Sequence, residues 1–395
     1  MKSASAVSFE LDDPEGTARE LCESIQQKLT LKKNSFGVLF CDADTDGAAL
    51  TASLKELLGI ETAGMTTLAA LDSGGRKDAS AVLTVFTADD CAFFPSVSDP
   101  LGGPDSICER IIAETCARVM SPDSSAPALI FAFCPSGMGF SGDVYPRVIS
   151  GIAPGVPVIG GAASDDYDYK RARVFLSGKE YKDSLVLLGI RGKLSPVFAL
   201  RHVTSRFAER IRRVVEAEKN VVYRVGDETF VKYLEGFGLK TDVEDPLLAF
   251  TSYPMMLTRE EKDETPLMRH ISALNLKDGS GTFFGDVPAG TLANICLVNK
   301  EDVMAACRES MRALLDEGKN QKDREYGTVL CISCCGRAMI LGSDPGAEGR
   351  ILSEMLPPGL TLFGAYCLGE ICPVRCKDGD VSNRFHNCSI AFCMF

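Results

Sequence analysis

Apolar residues recur along this chain in two rhythms that take turns. Between Pro14 and Leu29 the positions Ala18, Leu21, Cys22, Ile25 and Leu29 fall three and four apart, the spacing of one helix face, with Asp12 or Asp13 placed as cap and Pro14 in the first turn. "FGVLFC", Phe36 to Cys41, is instead a short unbroken apolar run with the look of a buried strand. A helix through "GAALTASLKELLG" follows and stops at Gly59; then come the extended runs "MTTLAAL" and "AVLTVFTA", a helix over about 105–120, and the strand "ALIFAFC". This alternation predicts an α/β fold built on mixed sheets.

The order then repeats. "ALIFAFCPSG", a helix through "GDVYPRVISGIAPG", "VPVIGGAASDD", "RVFLSG" and "SLVLLGI" succeed one another from Ala128 to Ile190. Near the carboxyl end "TVLCISCCGR", a helix through "GAEGRILSEMLPPG", "LTLFGAYCLGEICP" and "RFHNCSIAFCMF" do the same. Cys134 answers Cys334, Ile159-Gly160 answers Phe363-Gly364, and Asp165-Asp166 falls opposite Gly369-Glu370, which is what a diverged internal repeat leaves behind. The expectation is two pseudo-repeated α/β units packed into one layered two-domain body. Residues 1–32 form a helical lead-in, 33–218 the first domain and 219–395 the second, and with no Pro/Gly/Ser-rich linker between Glu218 and Asn220 the halves pack tightly.

Composition narrows the function. The chain has 395 residues, 45% hydrophobic and 24% charged, enough for two full cores. Its 54 acidic against 42 basic residues give a net charge of −12, no basic block exceeds "RIRR" at Arg210 to Arg213, and nucleic acid is thereby excluded as a partner. No signal-peptide core opens the chain and no stretch approaches the ~18 apolar residues of a membrane span, so a soluble, cytoplasmic protein is expected. The 16 cysteines, half of them beyond residue 330, then read as reduced thiols packed as small hydrophobes.

Several motifs carry candidate chemistry. "DADTDG" resembles the start of a calcium loop, but the twelfth position, where a bidentate glutamate belongs, is Ser53; Asp46 or Thr45 capping the next helix is the simpler use. Cys331, Cys334, Cys335, Cys367, Cys372 and Cys376 invite a metal, yet Cys331 and Cys334 sit on a strand at a spacing that points them to opposite faces. "GGAASDD" is no dinucleotide fingerprint. Glu370, presented beside Gly369 at the end of the strand that carries Tyr366, can take an ammonium group, and Arg337, after Gly336 at the end of the neighbouring strand, can fork onto a carboxylate. The pair suits a zwitterion, unless the two simply bind each other. Gly160, Gly161, Ser164 and Asp165 make the matching corner of the first unit, where a ligand or a plain turn is the use.

"ISCCGR" (Ile332 to Arg337), "FGAYCLGEICP" (Phe363 to Pro373) and "FHN" (Phe385 to Asn387) resemble the carboxyl-terminal half of the FIST sensory family. "VPVIGGAASDD" and "RVVEAEKNVVYRVGDETFVKYLEGFG" resemble its amino-terminal module and junction. The resemblance implies a sensor that binds a small molecule, with amino acids the usual suggestion, and that signals without turnover to a separate protein such as a kinase or chemoreceptor. Cys334, His386 and Asn387 join the residues named above as expected ligand contacts. Two rivals remain at this point. One is a hydrolase or transferase using Cys334 (or Cys134) as nucleophile, with His386 as base and Glu370 to orient it. The other is a haem-binding gas sensor ligated through His386 or a cysteine. Otherwise no cofactor or metal is expected.

Overall fold

The computed structural model describes residues 1–120, 125–203, 206–207, 210–258, 266–321, 324–375 and 381–395. Three stretches of the chain fold in the same way. The first runs β1 (Lys2–Ser8), α1 (Pro14–Lys28), β2 (Asn34–Cys41), α2 (Gly47–Leu58), β3 (Glu61–Thr66), a hairpin of β4 (Ala70–Asp72) and β5 (Gly75–Lys77), and β6 (Ala81–Ala88). The second runs β7 (Cys91–Val97), α3 (Asp105–Met120), β8 (Leu129–Cys134), α4 (Val144–Ile152), β9 (Val158–Ala162), a hairpin of β10 (Val174–Leu176) and β11 (Lys179–Tyr181), and β12 (Val186–Gly192).

The third opens with β13 (Val197–His202) and is then interrupted. The insertion holds β14 (Arg206–Phe207), β15 (Arg212–Glu218), β16 (Val221–Val225), β17 (Glu228–Thr229), α5 (Phe230–Glu235), α6 (Pro246–Phe250), β18 (Met255–Thr258), β19 (Leu267–Arg269), β20 (Ile271–Asn275), β21 (Ser280–Phe283) and β22 (Leu292–Leu297), whose strands join one nine-stranded sheet. The unit resumes with α7 (Lys300–Asn320), β23 (Thr328–Cys334), α8 (Cys335–Leu341), α9 (Ala347–Met355), β24 (Thr361–Cys367), a hairpin of β25 (Glu370–Arg375) and β26 (Val381–His386), and β27 (Ser389–Met394).

Each unit pairs its two inner strands in parallel (β2 with β3, β8 with β9, β23 with β24) and lays its last strand antiparallel against the first of these. The opening strand then pairs with the closing one, β1 with β6, β7 with β12 and β13 with β27. The hairpins leave home. β4–β5 is added to β24, β10–β11 to β3, and β25–β26 to β9, so each of the three six-stranded sheets is finished by a neighbour's hairpin in a closed cycle. One glycine per unit permits the junction. Gly64, Gly160 and Gly364 lie opposite Leu39, Ala132 and Cys331 of the parallel partner, and a Cβ there would meet that residue's carbonyl oxygen at 1.8, 1.9 and 2.0 Å. Only a residue without a side chain lets the strands close.

The sheets face one another around a shared core in which Phe40, Phe86, Phe131, Phe133, Phe363 and Phe395 are buried, with Phe86 and Phe363 centred 5.4 Å apart edge to face. Burying each such ring contributes roughly 1.5–3 kcal/mol. The outer faces carry the helices: α1 and α2 on the first sheet, α3 and α4 on the second, α7, α8 and α9 on the third. With both faces covered, the inner strands read as continuous apolar runs.

The mixed α/β class expected from the sequence is present, as is the repeated pair of units, and topology adds a third copy over residues 2–88. The expected lead-in helix is α1, but strand β1 precedes it and pairs along the whole of β6. The closing "RFHNCSIAFCMF" is two strands, with His386 ending β26 and Asn387-Cys388 in the turn before β27. Glu370 does not end the Tyr366 strand; it begins β25 after a Leu368-Gly369 turn. Among the described residues no helix is long and apolar enough to cross a membrane.

Candidate functional site

The ends of the parallel strands converge. Equivalent backbone bonds, Thr66 N to Arg173 O (2.9 Å), Ala162 N to Gly369 O (3.1 Å) and Tyr366 N to Ala69 O (3.1 Å), tie each unit to the hairpin it receives. Ser164 sits at the meeting point, its Oγ donating to Tyr366 O (2.6 Å) and accepting from Leu68 N (2.9 Å). The two corners singled out in the sequence therefore adjoin: Glu370 pairs with Gly161 and its neighbour Ile371 with Gly160.

Beside this junction a recess opens between the repeat body and the inserted sheet. Its inner end is lined by Tyr167, Tyr169, His270, Cys334, Cys335, Gly336, Gly369 and Asn387, with Leu247, Phe284, Met339 and Leu368 as apolar wall. About 20 Å³ is free there to the centre of a water-sized group, room for one such group. Outward it adjoins a groove of about 660 Å³ on the same measure, lined by Met138, Phe140, Asp245, Leu248, Phe283 and others, the size range of small-molecule sites. The far wall is fixed in place. Gly142 N donates to Phe284 O (2.9 Å), while Arg269, buried, bonds Asp143 Oδ2 (2.8 Å) and the carbonyls of Phe385 and Asp286. Burial raises the Asp143 carboxyl above its ordinary range, with the Arg269 charge opposing.

Polar atoms without a protein partner gather at the inner end. His270 Nε2 and Asn387 Oδ1 are unpaired on side chains that are 3% and 2% exposed, and Tyr169 Oη is unpaired as well. Burial pulls the His270 imidazole down to about 4, against a hydrogen bond to the Thr251 backbone, so the ring is neutral at pH 7. Glu370 lies behind Cys334. Its Oε2 accepts from Ser389 N (3.3 Å) and Oγ (2.6 Å), its Oε1 is unpaired, and burial lifts the carboxyl to about 8, so it is protonated at neutrality. Tyr167 and Tyr169 stand in the left-handed region, φ 71° and 58°, a conformation that costs about 1–2 kcal/mol per residue. Asp165 holds that loop by accepting from Tyr169 N (3.1 Å) and Arg171 N (3.0 Å).

Of the residues expected at the site, Cys334, Gly336, Gly369 and Asn387 line the recess, and Glu370 and Gly161 stand directly behind it. Arg337 does not meet Glu370. The strand ends at Cys334 and Arg337 belongs to the first turn of α8, which turns its guanidinium to Glu348 of α9 through Nη2 (2.5 Å) and Nε (3.1 Å). Ser333 Oγ and Tyr366 Oη bond the other oxygen of Glu348, and Arg76 stacks over the Tyr366 ring. This is a buried polar cluster in which Arg337 Nη1 alone lacks a partner among the described residues. His386 has both ring nitrogens engaged, Nδ1 with His202 Nε2 (3.2 Å) and Nε2 with Cys372 O (3.2 Å), and burial holds it well below its usual pKa. It has no nitrogen left to serve Cys334 or an iron atom.

The thiols are not activated: burial raises Cys334 well above its ordinary pKa and Cys335 to about 12. Cys376 lies outside the described residues. "DADTDG" caps α2, Asp46 Oδ1 accepting from Ala49 N, while Asp44 pairs with Arg171. His270, Tyr167, Tyr169 and Glu348 were not singled out from sequence. The available signal was "DDYDYK", which makes the Gly160–Phe175 interval longer than its counterpart Gly364–Ile371 in the sister unit.

The chain matches the FIST N domain over residues 35–228 and the FIST C domain over residues 228–373. No curated protein matches it. Among solved structures, "T. maritima PurL complexed with ATP" is 8% identical with a TM-score of 0.22, covering 100% of this chain and 71% of that one. "Structure of PurLQS from Thermotoga maritima" is 10% identical with a TM-score of 0.22, covering 99% and 72%. Likenesses this distant carry no argument.

Proposed function

This chain belongs to the FIST family, whose domains are generally small-ligand sensory domains, and on that premise we propose that it senses a small amino-group-bearing metabolite held in the recess between its repeats and its inserted sheet. The observation that carries this reading is the set of unpaired, buried polar atoms on side chains that line one hollow, His270 Nε2, Asn387 Oδ1 and Tyr169 Oη. A buried polar atom without a partner costs about 1–3 kcal/mol, so a ligand that satisfies these atoms binds the folded state selectively. The walls come from the second unit, the third unit and the insertion, so occupancy biases how these three pack and gives a separate partner, such as a kinase or chemoreceptor, a surface that differs with the ligand. On this reading the ligand is held without turnover, in keeping with burial that keeps the Cys334 and Cys335 thiols protonated.

A thermal-shift screen against amino acids, amines and related metabolites tests the proposal. A true ligand raises the melting temperature in proportion to the logarithm of its concentration, and Asn387→Leu abolishes the rise. A ligand that is consumed on incubation, or one whose effect survives both Asn387→Leu and Met339→Trp, contradicts it.

A further inference from the structure

The chemistry of the recess goes further than the presence of a ligand and rests on the reading above. The two innermost unpaired atoms are both acceptors. Asn387 Oδ1 is a carbonyl oxygen, and the neutral His270 ring accepts through Nε2 in the tautomer that the nearby Thr251 backbone favours; neither atom has a protein partner, and both residues line the inner end. Their complement is a group rich in N–H donors and about the size of water, because the inner end admits no more than that. Two tyrosine rings and Phe284 line the same space, aromatic surface of the kind that attracts a cation.

The recess holds nothing for an anion. Among the described residues, no lysine or arginine lines the inner end or the outer groove, and the one charged lining residue is acidic, Asp245. Arg337 is neutralised by Glu348 and lines neither. A carboxylate carried in beside the amine would be desolvated without a counter-charge, which costs more than its hydrogen bonds return. We propose that the occupant is a primary amine without an adjacent carboxylate: its ammonium is seated between His270 and Asn387, and its aromatic or alkyl body lies along Phe284, Met339 and Leu247.

The test is isothermal titration of the full chain with matched probes: 2-phenylethylamine, L-phenylalanine, 3-phenylpropionate and 2-phenylethanol, with n-hexylamine as the alkyl amine. One or both amines bind at least about tenfold tighter than L-phenylalanine and than the uncharged alcohol, and 3-phenylpropionate gives no heat. Asn387→Leu and His270→Phe each remove amine binding while far-UV circular dichroism stays that of the wild type. If either variant is unfolded, Met339→Trp, which fills the recess and leaves its polar atoms in place, must remove amine binding instead. Tighter or equal binding of L-phenylalanine or 3-phenylpropionate overturns the choice of amine and leaves the sensory site standing. Amine binding that survives these substitutions overturns the location. Failure of both amines overturns the proposal, and if the broad metabolite screen is also blank the sensory reading falls with it.

Discussion

Replacing Glu370 with glutamine isolates one buried carboxyl. In the fold its pKa is lifted to about 8, burial being the main cause, against an ordinary 4.5 in the unfolded chain. The unfolded chain gives up this proton near pH 4.5 while the native protein keeps it until about pH 8, so between those values the native state binds more protons and stability falls as pH rises. At about 1.4 kcal/mol per pH unit the loss reaches about 3 kcal/mol by pH 7 and levels off through about 4 kcal/mol at pH 8, where the native carboxyl is itself half ionised. Glutamine keeps the shape: its carbonyl accepts the two bonds from Ser389, and its amide occupies the place of the unpaired oxygen. Urea unfolding followed by circular dichroism, from about pH 4.5 to about pH 8.5, reads the difference. Glu370→Gln should gain about 3 kcal/mol on the wild type between pH 4.5 and pH 7. Asp143 and other shifted groups are common to both proteins and cancel. Parallel stability curves would mean that Glu370 is ionised in the fold and that the reasoning about its surroundings is wrong.

Two further outcomes are expected. Gly160→Ala, like Gly64→Ala and Gly364→Ala, drives a methyl group into a neighbouring carbonyl and costs about 3 kcal/mol or more in urea unfolding, whereas Gly59→Ala, at an open left-handed helix end, costs only about 1 kcal/mol; equal costs would refute the equivalence of the three junctions. In native protein none of the fifteen described cysteines reacts with a disulfide dye within minutes, because all are buried, and all react in urea. Fast labelling mapped by mass spectrometry to Cys334 or Cys335 would restore the nucleophile reading.

Much of the fold was legible because both faces of the inner strands are covered. That writes them as apolar blocks such as "FGVLFC" and "LIFAFC", and the helices between them carry ordinary caps and stripes. The third copy was harder to see. Its hairpin, β4–β5, is no shorter than β10–β11, three residues in each strand, but its glycine is flanked by different side chains. Strand exchange leaves no local mark, since pairing of β25 with β9 depends on contacts about two hundred positions apart in the chain. The strand-end corners at Gly160-Gly161 and Gly369-Glu370 were readable from glycine after an apolar run. Arg337 misled, because helix α8 begins one residue after the strand and rotates the guanidinium toward Glu348. His270 and the tyrosine pair belong to an insertion and a lengthened loop, where no periodicity announces which way a side chain faces.

The hairpin cycle also dictates how this polypeptide can be made. Synthesis delivers β8 and β9 well before the strands that cover the outer side of β9, which lie about two hundred positions further along at 370–375 and 381–386. Until they arrive, the nascent chain carries a bare strand edge able to pair with any neighbour, and a fragment cut to the amino-terminal match alone would carry that edge permanently and self-associate.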